Sequence, residues 1–334
     1  MNILVTGGNG FIGFNFINYL LKNKKVKKII NIDKDSKYSI KNSEFKKSKK
    51  YFKLKNNLSN IKYLISIMKF YEIDTVVHFA AESHVDRSIL GPTYFIQNNI
   101  NSTLNIVEAS RLYNLDHNLK FHYISTDEIY GSNKNKIFNL NSPLNPSSPY
   151  SVSKSFGNLI LKSWKKTYNF NSSSIMMVNN FGPYQNIEKL IPATIMRILF
   201  QLPILIYGDG TNLRTYIHVN DSVKAIEEII FKKTIKDYTV SSNNFYSNNQ
   251  IVKKIITILK NEYGINYDLK KIVYTNDRPG HDQEYRLSKD KKIKSQLNNN
   301  FNSDLIKTVD WYVKNRNKIL NSSNKKQLKK VGFR

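Results

Sequence analysis

The chain has 334 residues, 40% of them hydrophobic, enough apolar material for one large domain or two modest ones. It contains no cysteine, which excludes disulfides, thiolate metal sites and a cysteine nucleophile, and fits a reducing compartment. Lys and Arg number 52 against 25 Asp and Glu, a net charge of +27, but the lysines are spread over predicted helix faces and loops with no nucleic-acid module beside them, so specific nucleic-acid binding is not expected.

Met1 runs straight into a strand-like segment without a leader pattern, and no apolar run reaches the roughly 18 residues of a membrane span, so a cytoplasmic protein without a membrane partner is expected. Residues 2–6 read as a buried strand, followed at once by GGNGFIG at 7–13 and an apolar-periodic helix over 11–21. Gly7, Gly10 and Gly13 in that context allow a tight turn, close approach of the backbone to a pyrophosphate, and close packing of helix on strand, with the phosphate on the helix N-terminus. This predicts dinucleotide binding. A second strand over 29–32 ends in Asp33, where a carboxylate accepts hydrogen bonds from the adenosine ribose and repels a 2′-phosphate. NAD is favoured over NADP, although the adjacent Lys34 weakens that preference and an ordinary surface aspartate is the alternative.

A third strand over 51–55, a helix over 61–70 and a fourth strand over 74–79 lead into the loop 80–84; a long helix over 94–112, a strand over 120–125, a helix over 150–168 entered through Pro146 and Pro149, and a strand over 174–178 follow. Strands alternating with helices predict an α/β fold, a Rossmann-type doubly wound parallel sheet, which binds ligands beyond the carboxyl ends of its strands. The strict alternation stops at Asn179-Asn180, where a smaller C-terminal α/β substrate domain begins, with helices over 190–200, 248–260 and 304–316, a strand near Ile204, and loops at 208–210 and 278–282. The expected division is 1–180 for the dinucleotide domain with a return segment near 217–240, 181–320 for the substrate domain, and 321–334 as a disordered basic tail.

Between Phe121 and Lys154 lie a hydroxyl, two adjacent carboxylates, a phenol and an amine: Thr126, Asp127, Glu128, Tyr150 and Lys154. Tyr150 and Lys154, four apart, share one helical face, so the stretch reads as acid–base machinery without a metal site. Adjacent carboxylates repel each other's charge, which splits them into one acid and one base. A lysine ammonium about 4 Å from the phenol favours phenolate by about 4 kcal/mol at an effective dielectric near 20, which predicts a Tyr150 titrating near neutral pH.

The runs GGNGFIG (7–13), HFAAESHVDRS (78–88), STDEIYG (125–131), YSVSK (150–154), EKLIP (188–192) and RPGHD (278–282) together resemble the nucleotide-sugar 4,6-dehydratases of the extended short-chain dehydrogenase/reductase superfamily, from Met1 to about Arg316. The resemblance implies an NAD-dependent lyase and a homodimer. Its substrate would be a nucleotide-diphosphate sugar, dTDP-glucose in preference to UDP-glucose, with epimerisation or decarboxylation as further alternatives. Tyr150 would take the C4 hydroxyl proton, Glu128 the C5 proton, and a protonated Asp127 would assist departure of the C6 hydroxyl; Lys154 would hold the nicotinamide ribose and Thr126 the sugar.

By the same resemblance Phe11, Ile12, Asp33, Lys34, Ser36, Asn57, Leu58, Phe79, Ala80, Ala81, Asn98 and Asn180 match cofactor positions, together with Tyr150 and Lys154. Ser83, Asn179, Lys189, Leu190, Tyr207, Arg214, Asn249, Arg278 and His281 match substrate positions, Arg214 and Arg278 as a diphosphate clamp. Phe11, Ile12 and Leu190 suit a hydrophobic core equally well, and His78, inside a strand, reads as packing. Asn57, Asn98 and Thr215-Tyr216 depart from the family pattern.

Overall fold

The computed structural model describes residues 1–41, 44–132, 135–296, 300–319 and 328. Its first half alternates β1 (Asn2–Thr6), α1 (Phe11–Leu20), β2 (Lys28–Asp33), β3 (Tyr51–Lys55), α2 (Ile61–Tyr71), β4 (Thr75–His78), α3 (Val85–Leu90), α4 (Pro92–Tyr113), β5 (Lys120–Thr126), α5 (Pro149–Tyr168) and β6 (Ser172–Met177). The rest comprises β7 (Asn179–Phe181), α6 (Leu190–Leu199), β8 (Ile204–Tyr207), β9 (Leu213–His218), α7 (Val219–Ile230), β10 (Tyr238–Val240), β11 (Phe245–Ser247), α8 (Asn248–Tyr263), β12 (Ile272–Thr275), β13 (Glu284–Tyr285) and α9 (Phe301–Ile319).

Seven strands form one parallel sheet in the order β10-β6-β5-β4-β1-β2-β3. Its central strands are apolar on both faces because helices cover both. Ile3 and Val5 point into a core shared with α1 and α7, while Leu4, between them, points into the core beneath α2 and α4. The order reverses between β1 and β4, and register aligns Thr6 with Ile32 and with His78, and His78 with Tyr123. The carboxyl ends of β2, β1, β4 and β5 therefore open on one crevice at the switch point, where doubly wound sheets bind ligands. His78 is buried, its Nδ1 2.6 Å from Thr6 Oγ1 and its Nε2 3.2 Å from Thr103 Oγ1, so it is a packing residue.

Beyond β6 the chain builds a second core from Phe181, Ile195, Ile251 and Leu305 under α6, α8 and α9, with β7, β9, β11 and β13 in one small sheet and β8 and β12 paired in another. It returns to the first core: α7 packs on α1, β10 adds to the edge of β6, and Leu287 and Ile293 rejoin that core after β13. The helix expected over 304–316 is longer, Phe301–Ile319. Of the tail 321–334, only Leu328 lies among the described residues, buried in the second core. The helix α3 and the strands β7, β9, β10, β11, β12 and β13 were not visible in the sequence: β7, β10, β11 and β13 have only two or three residues, too few to show a period, and β9 interrupts its apolar residues with Arg214, Thr215 and His218.

Candidate active site

Two pockets meet at the carboxyl edge of the sheet. The first begins at the β1–α1 turn. Gly7 adopts φ +70°, and a Cβ there would stand 2.6 Å from Ala80 Cα; a Cβ on Gly13 would stand 2.5 Å from Gly7 O and 2.9 Å from Gly8 Cα. No side chain caps α1 at Gly10, so the first-turn N–H groups and the positive end of the helix dipole face the pocket without a protein anion. At the end of β2, Asp33 accepts from the N–H groups of Asn9 (2.9 Å) and Asp35 (2.8 Å), which fixes its carboxylate at the pocket wall. Lys34 donates to Glu82 (2.7 Å) and Asn98 (3.2 Å), so its charge is already matched and does not offset Asp33.

Gly7, Gly10, Phe11, Ser36, Asn57, Leu58, Phe79, Ala80, Ala81 and Asn98 line this pocket, and Ser83 closes one end. Ile12 packs into the core, and Gly13 serves helix packing instead of the wall. Asn180 lies outside the lining, its amide donating to Val178 O and its Oδ1 buried without a partner. An elongated cleft with a glycine cradle at a helix start and a carboxylate at the end of β2 fits a dinucleotide. Gly13→Ala is expected to cost about 1–3 kcal/mol through overpacking and to weaken dinucleotide binding. An unchanged melting temperature with unchanged NAD affinity would contradict this.

The catalytic candidates gather at the end of β5 and the start of α5, and of the five only Glu128 is part of either pocket's lining, in the second. Thr126 ends β5, and its hydroxyl donates to Asp127 Oδ1 (3.2 Å) while accepting from the Glu128 N–H (3.3 Å), fixing the one-turn 3-10 segment that follows. Ser148 and Ser151 form a capping box and Pro149 opens α5, which sets Tyr150 in its first turn and Lys154 one turn on. The helix lies close against β5: a Cβ on Gly157 would stand 2.2 Å from Tyr123 Cζ, and Tyr123 donates to Lys154 O (3.2 Å).

Asp127 is 1% exposed and its Oδ2 has no hydrogen-bond partner. Burial, with the charge of Glu128 added, pushes its carboxyl up to about 7. Burial also raises Glu128, but Lys189, Arg214 and Arg278 pull the other way. Burial lowers Lys154 to about 7.

Tyr150 corrects the sequence-based expectation. Its phenol is pushed well above the usual value, by burial first and then by Glu128, Tyr123 and Asp127. The Lys154 ammonium donates to Ile124 O (2.6 Å) and sits 4.1 Å above the Tyr123 ring, so its charge is directed at those groups and desolvation dominates at the phenol.

The second crevice lies against Glu128 and is lined by Asn179, Lys189, Leu190, Tyr207, Arg214, Arg278 and His281. Lys189 donates to Ser83 O (2.9 Å), a residue of the first pocket, and Asn179 Nδ2 is buried without a partner. Arg214 is less available than a diphosphate clamp requires: Nη1 donates to Leu213 O (2.8 Å), Nη2 to Asp282 O (2.7 Å), and the guanidinium stacks 4.3 Å from the Tyr285 ring. His281 Nδ1 is 2.5 Å from Asp277 Oδ1. Asn249 donates to Asp209 O (2.8 Å) and is outside the lining, where Asn248 stands instead.

The sequence reading missed Tyr38, Asp86, Arg87 and Glu188. Arg87 stacks 3.8 Å over Tyr38 and pairs with Glu188 (3.1 Å), bridging both pockets. Asp86 and Arg87 fall in the run 78–88 and Glu188 in the run 188–192, whereas Tyr38 lies in no motif. Among the described residues there is no cluster of His, Asp and Glu able to hold a metal, and no helix long and apolar enough to cross a membrane.

Residues 4–310 match the family model described as GDP-mannose 4,6 dehydratase. A dTDP-glucose 4,6-dehydratase from Haemophilus influenzae is 37% identical over 335 residues, covering 94% of this chain and 98% of its own. Among solved structures, the dTDP-glucose 4,6-dehydratase of Streptomyces venezuelae, with NAD bound, superposes with a TM-score of 0.88 at 29% identity, covering 95% of this chain and 98% of that one. The Bacillus anthracis enzyme, also in complex with NAD, gives 0.84 at 35% identity with the same coverage. A cradle built for a dinucleotide, a second crevice built for an anion and a match along nearly the whole length have one common reading: this chain belongs to the GDP-mannose 4,6 dehydratase family, among relatives that are dTDP-glucose 4,6-dehydratases.

Proposed function

We propose that the chain is a NAD-dependent hydro-lyase that converts dTDP-glucose to dTDP-4-keto-6-deoxyglucose and water. The observation that carries this reading is the adjacent and unequal pair of a buried Asp127 and a half-buried Glu128, the latter lining the sugar-nucleotide crevice. Oxidation at C4 alone needs neither carboxylate, whereas elimination across C5 and C6 needs a base and an acid.

The glycine cradle and Asp33 would hold NAD, which would supply the hydride acceptor for C4 and the donor for C6, so that there is no net redox. Tyr150 takes the C4 hydroxyl proton, and the Thr126 hydroxyl hydrogen-bonded to it favours the phenolate that burial opposes. The C4 ketone then acidifies the C5 proton. Glu128, which faces the cations Lys189, Arg214 and Arg278, is the base that removes it. Asp127, whose Oδ2 has no partner and whose carboxyl keeps its proton toward neutral pH, is the acid for the departing C6 hydroxyl. Thr126 orients Asp127 and hydrogen-bonds the sugar. Lys189, Arg278 and Asn179 receive the diphosphate end.

UDP-glucose is the second reading, because Thr215 and Tyr216 replace the pair common in dTDP enzymes; Thr215 Oγ1 donates to Tyr285 O (3.2 Å) and Tyr216 lines the crevice. Comparing kcat/KM for water loss from dTDP-glucose and UDP-glucose in parallel decides between them, and no water loss from either would overturn the proposal. The same reading makes the chain a cytoplasmic homodimer packed through α4 and α5, which leave Tyr94, Val152, Leu159 and Tyr168 exposed. It divides the chain into a cofactor domain over 1–180 with the return segment 217–240, and a substrate domain over 181–320.

A further inference from the structure

We infer that the carboxylate of Asp86 is an anionic placeholder in the substrate crevice, holding Arg278 and Tyr207 where the diphosphate of the nucleotide goes and giving way to it on binding. The inference rests on the nucleotide-sugar reading above and deepens it.

Asp86 belongs to α3, in the cofactor domain, yet its side chain engages two residues of the substrate domain. Oδ1 lies 3.3 Å from Arg278 Nε, and Oδ2 accepts from the Tyr207 hydroxyl at 3.0 Å. The Arg278 guanidinium also stacks 4.7 Å over the Tyr207 ring, so the three side chains form one unit, and all three line the crevice.

The Asp86–Arg278 pairing is charged but poorly formed. Both Asp86 Oδ1 and Arg278 Nε are buried without a hydrogen-bond partner, so the contact is Coulombic and lacks the parallel N–H···O pair of a bidentate fork. A diphosphate, with two anionic groups, offers Arg278 the geometry that Asp86 does not. Arg214 has already committed donors to Leu213 O and Asp282 O, which leaves Arg278 the more available of these two guanidinium groups to an incoming anion.

Before the anion arrives, Arg278 and Lys189 are like charges in a partly closed crevice, and Asp86 offsets them. Once the diphosphate is seated, Asp86 faces a like charge. It therefore weakens nucleotide retention and assists release of product, which carries the same diphosphate.

Asp86→Asn keeps the shape and removes the charge. Calorimetric titration of the NAD-loaded protein with dTDP should give a Kd about tenfold below wild type at low salt, with the gain shrinking as ionic strength rises. The Kd for thymidine, which has no phosphate, should not move. An unchanged or higher Kd for dTDP overturns the placeholder. NAD affinity reports on folding, since Asp86 does not line the cofactor pocket. Asp86→Ser is the second variant, and loss of NAD binding in both would make Asp86 structural and also overturn it. Failure of the wild type itself to bind dTDP overturns the nucleotide-sugar reading instead, a separate result.

Discussion

Glu128→Gln is expected to lower the rate of water loss by about 10²–10⁴-fold, the range for removing a positioned general base, and to abolish exchange of the C5 hydrogen with deuterated solvent. Asp127→Asn is expected to lower water loss by a similar factor but to leave C5 exchange measurable, because the base is still in place and only the acid is gone. The split follows from the environments. Burial raises both carboxyls, but at Glu128 three cations oppose it, whereas at Asp127 the charge of Glu128 adds to it and Oδ2 is buried without a partner. Solvent exchange followed by mass spectrometry separates the two. C5 exchange surviving in Glu128→Gln and lost in Asp127→Asn would reverse the assignment.

Tyr150→Phe is expected to remove both exchange and water loss, since no ketone forms at C4, again by about 10²–10⁴-fold. The dependence of kcat on pH should fall on the alkaline side, with an inflection near 7, because Asp127 loses its proton and Lys154 its charge on the same rise. The stability signs differ between these two groups. The folded-state pKa of Asp127 is raised, so its contribution is present below its unfolded value and is lost as pH rises through about 7. The folded-state pKa of Lys154 is depressed from 10.5 to about 7, so its cost is absent above its ordinary value, grows as pH falls, and is full below about 7. Melting curves of wild type and Asp127→Asn across pH 4–7 isolate the first effect: the variant should lose the slope that Asp127 supplies.

Much of the first domain was legible because long buried strands and helices carry their period over five or more residues, and because the β1–α1 turn needs glycine for steric reasons visible in the sequence. The acid–base cluster was legible for a related reason: Thr126 to Glu128 end a recognisable strand, and Tyr150 and Lys154 are four apart on one helix.

What sequence could not give was orientation. It brought Lys154 to Tyr150 by helical spacing, but the ammonium turns to Ile124 O and the Tyr123 ring, and burial then governs the phenol. It paired Arg214 with Arg278 as a clamp, but Arg214 is held by backbone carbonyls, while Arg278 faces a carboxylate contributed by another domain. Asp86 lies 192 positions before Arg278, and no periodicity links residues that far apart. The charge of Lys34, which weakened the preference for NAD in the sequence, is matched by the Glu82 side chain that the fold brings beside it.

The central claim is that one turnover oxidises C4, eliminates water across C5 and C6, and returns the same hydrogen to C6. It is tested most directly with dTDP-glucose carrying deuterium at C4, incubated with the NAD-loaded protein in ordinary water and read by mass spectrometry and NMR. The expected product has lost one water and carries the deuterium at C6. A product that keeps all its oxygens, or one that has lost water but whose C6 holds no deuterium, would contradict the account.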